Sequence, residues 1–158
     1  MDGVPARMRL TVLGTGYLGA THAACLAELG FDVLGVDTDA AQIGALNAGE
    51  LPFFEPGLEP LLGRGLLSGR LRFTCSYEEA AAFGDVHFVC VGTPQRADAD
   101  GADLSQLTAC VGTLAPLLGS ACLVVGKSTV PAGTASVLAG DLARLSPAGD
   151  AVELAWNP

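Results

Sequence analysis

Arg9-Leu-Thr-Val-Leu13, followed at once by Gly14-Thr-Gly-Tyr-Leu-Gly19 and then by an alanine-rich run to Leu29, decides the reading of this chain. The first five residues are a short apolar run that reads as a strand, and Tyr17 to Leu29 reads as a helix closed by Gly30 at the position that ends helices. Between them stand three glycines in the spacing G-x-G-x-x-G, placed where a dinucleotide fingerprint has to lie, after a strand and opening a helix. Gly14 permits the tight turn, Gly16 lets a pyrophosphate approach the backbone, and Gly19 removes a side chain where helix and sheet touch.

Working outward, Phe31–Val36 is a second strand, and Asp37 stands at its end, where a carboxylate accepts hydrogen bonds from the hydroxyls of an adenosine ribose. From Leu10 to Gly63 there is no Lys or Arg, and Asp37 is followed by Thr38 and Asp39. A 2′-phosphate placed there meets carboxylates and no cation, which favours NAD over NADP.

The alternation continues along the chain. A helix over Ala40–Ala48 closes at Gly49, and the proline-punctuated Leu51–Pro60 leads into a short helix through Leu62. Leu71–Thr74 is a strand, Tyr77–Phe83 a helix, and Asp85–Val91 a strand too continuously apolar for a sheet wetted on one side. Helix Leu104–Leu114, strand Ala121–Val125, helix Ala132–Leu145 and strand Ala151–Ala155 complete the series. Six strands alternating with helices imply a doubly wound, mostly parallel α/β sheet of Rossmann type, helices on both faces, in the order 3-2-1-4-5-6. Residues 1–158 form one domain on this reading, with 1–8 an N-terminal extension.

Composition sets the excluded classes. The chain has 158 residues, half of them apolar and 16% charged, which suits a packed domain and not a disordered one. Its net charge is −9 and Lys127 is its only lysine, so neither nucleic acid nor an anionic membrane is an expected partner. Leu104–Gly126 is uncharged over a length that could span a bilayer, but Ser105, Gln106, Thr108, Pro116, Gly119 and Ser120 break it into a helix and a buried strand. Met1–Leu10 carries no signal-peptide pattern. The five cysteines form no CxxC pair, Cys90 and Cys122 lie in apolar runs as buried small hydrophobes, and no metal site is expected. A reducing cytoplasm is the expected location.

Two further turns fall at carboxyl ends of strands, where ligands bind in this architecture: Val91-Gly92-Thr93-Pro94 and Gly126-Lys-Ser128-Thr129-Val-Pro131. The Ser-Thr pair also suits a helix N-cap. Lys127 is read as orienting its turn or pairing with an acid, and His22 and His87 as packed or solvated side chains.

These stretches, together with Glu55-Pro-Gly-Leu58, Asp100-Gly-Ala-Asp-Leu-Ser105 and Asn157-Pro158, resemble the UDP-glucose/GDP-mannose dehydrogenase family from about Met8 to Pro158. The resemblance implies NAD-dependent, two-step oxidation of a nucleotide-sugar C6 alcohol to a carboxylate, with UDP-glucose the expected substrate and a homo-oligomeric full-length protein. It implies that Gly14, Gly16, Tyr17, Leu18, Gly19, Asp37 and Gln42, the turn Val91, Gly92, Thr93, Pro94, and Ser128 with Thr129 bind NAD, and that Thr129 also faces the reacting carbon. Gln42 departs from the family's usual Lys or Arg and weakens the ribose-side contacts. The family's catalytic cysteine, lysine and asparagine, its central helix and its substrate domain lie beyond these motifs. No cysteine here is placed at a strand's carboxyl end beside a base, so none is assigned as nucleophile. The alternatives are a GDP-mannose or UDP-N-acetylhexosamine 6-dehydrogenase, or a free-standing NAD-sensing module; the polar turns favour an enzyme.

Overall fold

The computed structural model describes residues 7–97 and 100–158. Its strands are β1 (Arg9–Leu13), β2 (Asp32–Val36), β3 (Leu71–Thr74), β4 (Val86–Val89), β5 (Cys122–Gly126) and β6 (Val152–Trp156). Its helices are α1 (Tyr17–Glu28), α2 (Ala40–Asn47), α3 (Leu58–Leu67), α4 (Tyr77–Phe83), α5 (Ser105–Leu114) and α6 (Thr134–Leu145). The strands pair in parallel in the order β3-β2-β1-β4-β5-β6, as the alternation predicts.

Residues 10–13 of β1 are all buried because the strand feeds both layers. Leu10 and Val12 pack against α1, α2 and α3, while Leu13 packs on the opposite face with Val89 and with Leu107, Val111 and Leu114 of α5. Burial on both faces is what a parallel sheet with helices on each side demands. α1 presents Gly19, Ala20, Ala23, Ala24 and Ala27 to the core, a stripe of small residues that brings its axis close to the sheet and to α3.

The third helix departs from expectation, running on to Leu67 instead of stopping at Leu62. The helix runs through Gly63 and Gly65, and Leu58, Leu62 and Gly65 form one buried stripe. A Cβ on Gly65 would lie 3.0 Å from that of Leu71 and 3.5 Å from that of Ala27, so close packing offsets the glycine's weak helix propensity. β4 is shorter than its apolar run because the strands part after Val89.

Cys110 is buried, whereas Cys90 and Cys122 are only half-buried, against the expectation for both. Each sits at an end of its strand, one just past β4 and the other opening β5, where the covering layers thin. Inside the sheet, His87 is fully buried with Nδ1 2.7 Å from the Thr11 hydroxyl, while its Nε2 has no partner. Among the described residues no helix is long and apolar enough to cross a membrane. Residues 1–6 of the expected N-terminal extension lie outside the described residues.

Candidate cofactor site

From β1 the chain crosses to one face of the sheet through α1, and after β4 it crosses to the other through α5. The connections leaving these adjacent strands therefore diverge, and a crevice opens at their carboxyl ends. A cavity of about 640 Å³ fills it, lined by Gly14, Gly16, Asp37, Thr38, Gln42, Tyr77, Cys90, Val91, Gly92, Gln106, Ala109, Cys110 and Thr113.

The glycine turn forms its floor. Gly14 has φ +89°, and a Cβ there would come 2.9 Å from the Val91 nitrogen, so both conformation and space demand glycine. A Cβ on Gly19 would meet the Gly14 carbonyl oxygen at 1.7 Å. The helix is thus seated on the turn itself, a closer contact than the helix–sheet approach expected from the motif. Gly16 differs: a Cβ there would find nothing within 4 Å. It opens into the cavity at the N-cap of α1, where no side chain satisfies the first-turn N–H groups. Unpaired N–H groups at a helix N-terminus, with bare backbone before them, form an anion cradle.

At the far side of the turn Asp37 Oδ2 accepts the Thr15 N–H at 2.7 Å and the Thr15 hydroxyl at 3.1 Å, while Oδ1 accepts the Asp39 N–H at 3.1 Å. Gln42 Nε2 donates to the Thr15 carbonyl at 2.6 Å and to Thr15 Oγ1 at 3.0 Å. Asp37 and Gln42 thus share one wall of the cavity through Thr15, which is itself buried.

The opposite wall comes from α4 and α5. Gln106, Cys110 and Thr113 fall on one face of α5, and Tyr77 at the start of α4 lies beside Cys110. Cys90 stands just past the carboxyl end of β4 and lines the cavity. Burial pushes its thiol up to about 12 and that of Cys110 up to about 11, so neither is a thiolate at neutral pH.

The other turn residues lie outside that lining. Tyr17 is exposed, packs at a tilt against Phe53 with 5.0 Å between ring centroids and donates to Glu55; Leu18 is exposed beside it. The Ser128 hydroxyl donates to the Val91 carbonyl at 2.6 Å, and the Trp156 indole donates to the Ser128 carbonyl at 3.1 Å. The Thr93 hydroxyl donates to the Thr129 carbonyl at 2.7 Å. These bonds tie the turns after β4 and β5 together, and Thr93 and Thr129 line a shallow cavity of about 430 Å³ with Gln95, Gly101, Ala102, Val130 and Pro131. α6 starts at Thr134 with Gly133 as its N-cap, so the Ser-Thr pair does not cap it. Pro94 accepts the Asp103 N–H at 2.7 Å through its carbonyl and shapes the loop behind this cavity.

Sequence reasoning missed Thr15, Tyr77, Gln106, Cys110 and Thr113. The α5 residues carried a signal, their spacing on one helical face; Thr15 and Tyr77 carried none. Among the described residues no three His, Cys, Asp or Glu side chains could hold a metal ion.

Residues 8–158 match the family described as UDP-glucose/GDP-mannose dehydrogenase family, NAD binding domain. UDP-glucose 6-dehydrogenase of Rhizobium meliloti (strain 1021) is 42% identical over 151 residues, which is 96% of this chain and 34% of that protein. GDP-mannose 6-dehydrogenase of Pseudomonas aeruginosa is 41% identical over 130 residues, 80% of this chain and 30% of that protein. Among solved structures, a ternary complex of GDP-mannose dehydrogenase from Pseudomonas aeruginosa superposes with a TM-score of 0.90 at 35% identity, covering 96% of this chain and 36% of that one. A UDP-glucose dehydrogenase from Pyrobaculum islandicum superposes with a TM-score of 0.84 at 40% identity, covering 97% and 36%. The chain spans about a third of the length of the curated relatives it matches.

Proposed function

Because the chain belongs to the UDP-glucose/GDP-mannose dehydrogenase family, whose NAD-binding domain residues 8–158 match, we propose that it serves a nucleotide-sugar 6-dehydrogenase that oxidises UDP-glucose to UDP-glucuronate in two NAD+-dependent steps. The observation that carries the reading is the crevice between β1 and β4. It combines bare glycine backbone at a helix N-terminus with a carboxylate, and without a cation in its lining, a donor and acceptor set that fits a pyrophosphate joined to an adenosine ribose. On this proposal Gly14, Gly16, Tyr17, Leu18 and Gly19 surround the pyrophosphate and Asp37 with Gln42 receives the ribose. Val91–Pro94 with Ser128 and Thr129 flank the nicotinamide end, and Thr129 faces the reacting carbon. NAD supplies the hydride acceptor when bound; these residues bind and orient it.

UDP-glucose is favoured by the relative that matches 96% of the chain. GDP-mannose is the second reading, favoured by the higher backbone TM-score of 0.90. The proposal extends to a cytoplasmic, homo-oligomeric protein whose alcohol-oxidising groups lie outside these 158 residues; five unpaired cysteines suit a reducing compartment. The test is an assay of the complete gene product for NADH formation with UDP-glucose, GDP-mannose and UDP-N-acetylhexosamines. Highest kcat/KM with UDP-glucose supports the reading, and NAD+ binding without turnover of any nucleotide sugar refutes it in favour of an NAD-sensing module.

A further inference from the structure

The Gln42–Thr15–Asp37 chain has a direction. The Thr15 carbonyl can only accept, so the Gln42 amide group facing it is the NH2, which also donates to Thr15 Oγ1 at 3.0 Å. A threonine hydroxyl has one proton. With a lone pair of Oγ1 taken by Gln42, that proton is directed at Asp37 Oδ2, 3.1 Å away, and Oδ2 also receives the Thr15 N–H at 2.7 Å. Two donors from one buried residue therefore grip the same carboxylate oxygen, and Oδ1, with a single donor from Asp39, keeps free acceptor capacity. Behind Thr15 the space is closed: a Cβ on Gly35 would lie 3.2 Å from Thr15 Cγ2.

We propose that Thr15 is a positioning residue for the adenosine ribose, its hydroxyl polarised by Gln42 and fixing the rotation of the Asp37 carboxylate so that one oxygen is presented to the ribose hydroxyls. The proposal rests on the reading of Asp37 as the ribose acceptor. It gives Gln42 a role that acts through Thr15: it supplies a donor to the glycine turn without placing a cation beside Asp37, so the carboxylate stays directed at hydroxyls and the pocket stays closed to a 2′-phosphate. Without the hydroxyl the carboxylate keeps one backbone N–H on each oxygen, from Thr15 and from Asp39, and its terminal torsion, broad for sp² groups, is held less firmly.

The experiment measures binding of NAD+ and of its analogue lacking the adenosine 2′-hydroxyl to the 158-residue protein by calorimetric titration. A hydrogen bond to a carboxylate gives the wild type a preference for NAD+ on the order of tenfold. Thr15→Val keeps the shape and the backbone N–H, and is expected to bring the preference below about threefold, while Thr15→Ser restores it. Gln42→Met is expected to reduce it partway. If Asp37→Ala abolishes the preference but Thr15→Val retains it in full, the positioning role is rejected and the ribose reading stands. Should Asp37→Ala retain it, the ribose reading falls and this inference with it. If Thr15→Val does not fold, Gln42→Met decides: an undiminished preference overturns the proposal.

Discussion

Gly19 is seated on Gly14 so closely that a Cβ at residue 19 falls 1.7 Å from the Gly14 carbonyl oxygen, whereas a Cβ at Gly16, between them, meets nothing within 4 Å. Three glycines of one motif thus face different tests. Gly14→Ala and Gly19→Ala are expected to destabilise the domain by more than about 2 kcal/mol, through a positive φ in one case and a backbone clash in the other. Gly16→Ala is expected to leave the urea midpoint nearly unchanged while weakening NAD+ binding at least tenfold, because the methyl enters space left for the ligand. Equal melting losses in all three variants would show that the motif is structural throughout.

Asp37 stands in a cavity whose lining has no cation. NAD+ is expected to bind at least tenfold more tightly than NADP+, and Asp37→Ala to erase most of the difference. Equal affinities for the two cofactors in the unmodified protein would remove the argument.

His87 gives the domain a pH dependence. Burial lowers its folded pKa to about 4, against about 6.5 in an unfolded chain. The unfolded chain therefore binds the proton first. The stabilisation is fully present above about 6.5 and is lost as pH falls towards about 4, an effect on the order of 3 kcal/mol. Glu79 and Asp85, held low by Arg72 and Arg9, lose their contribution at lower pH. Urea unfolding is expected to show falling stability between pH 6.5 and 4. The slope should flatten in the Thr11→Val, His87→Leu double variant, which removes both partners of the buried bond together.

Ser128 and Thr129 separate differently from a cap-based expectation. Thr129 offers only its carbonyl to Thr93, and α6 is capped elsewhere, so Thr129→Ala should shift the melting temperature by no more than a degree or two. In the complete gene product it is expected to lower kcat at least tenfold. Ser128→Ala removes the bond to the Val91 carbonyl and is expected to cost about 1 kcal/mol of stability and to weaken NAD+ binding more than turnover. Unchanged kcat in Thr129→Ala would withdraw its catalytic assignment.

The exposed Cys25 and Cys75 are expected to react first with iodoacetamide at neutral pH, with Cys90 and Cys110 far slower, their thiols held up by burial. Mass spectrometry of partially alkylated protein checks the order.

Arg9–Leu13, the glycine triplet, Tyr17–Leu29 and Asp37 could be read directly because the information is local. A continuous apolar run, a positive-φ turn and an alanine-rich helix each constrain the backbone within a few residues. Alternation then limits the topology, because right-handed crossovers leave few ways to pair six parallel strands. Sequence alone thus determined the doubly wound sheet, its strand order and the acid-ended crevice expected to receive NAD.

The tertiary structure decided what no window of sequence contains. Tyr77 reaches Cys110, Ser128 reaches the Val91 carbonyl, and Thr15 reaches Asp37 and Gln42 because sheet order brings together residues 22 to 37 positions apart. Most buried polar atoms then take the partner that packing leaves within reach, His87 Nε2 being an exception. The same competition extended α3 to Leu67, where Gly65 admits Leu71 and Ala27 at a cost in helix propensity that the packing offsets. It also placed Cys90 on the wall of the crevice, since β4 stops pairing where its neighbours' connections diverge to opposite faces. Local preferences fix backbone conformation over a few residues, whereas partner choice depends on distances that exist only after the sheet has closed.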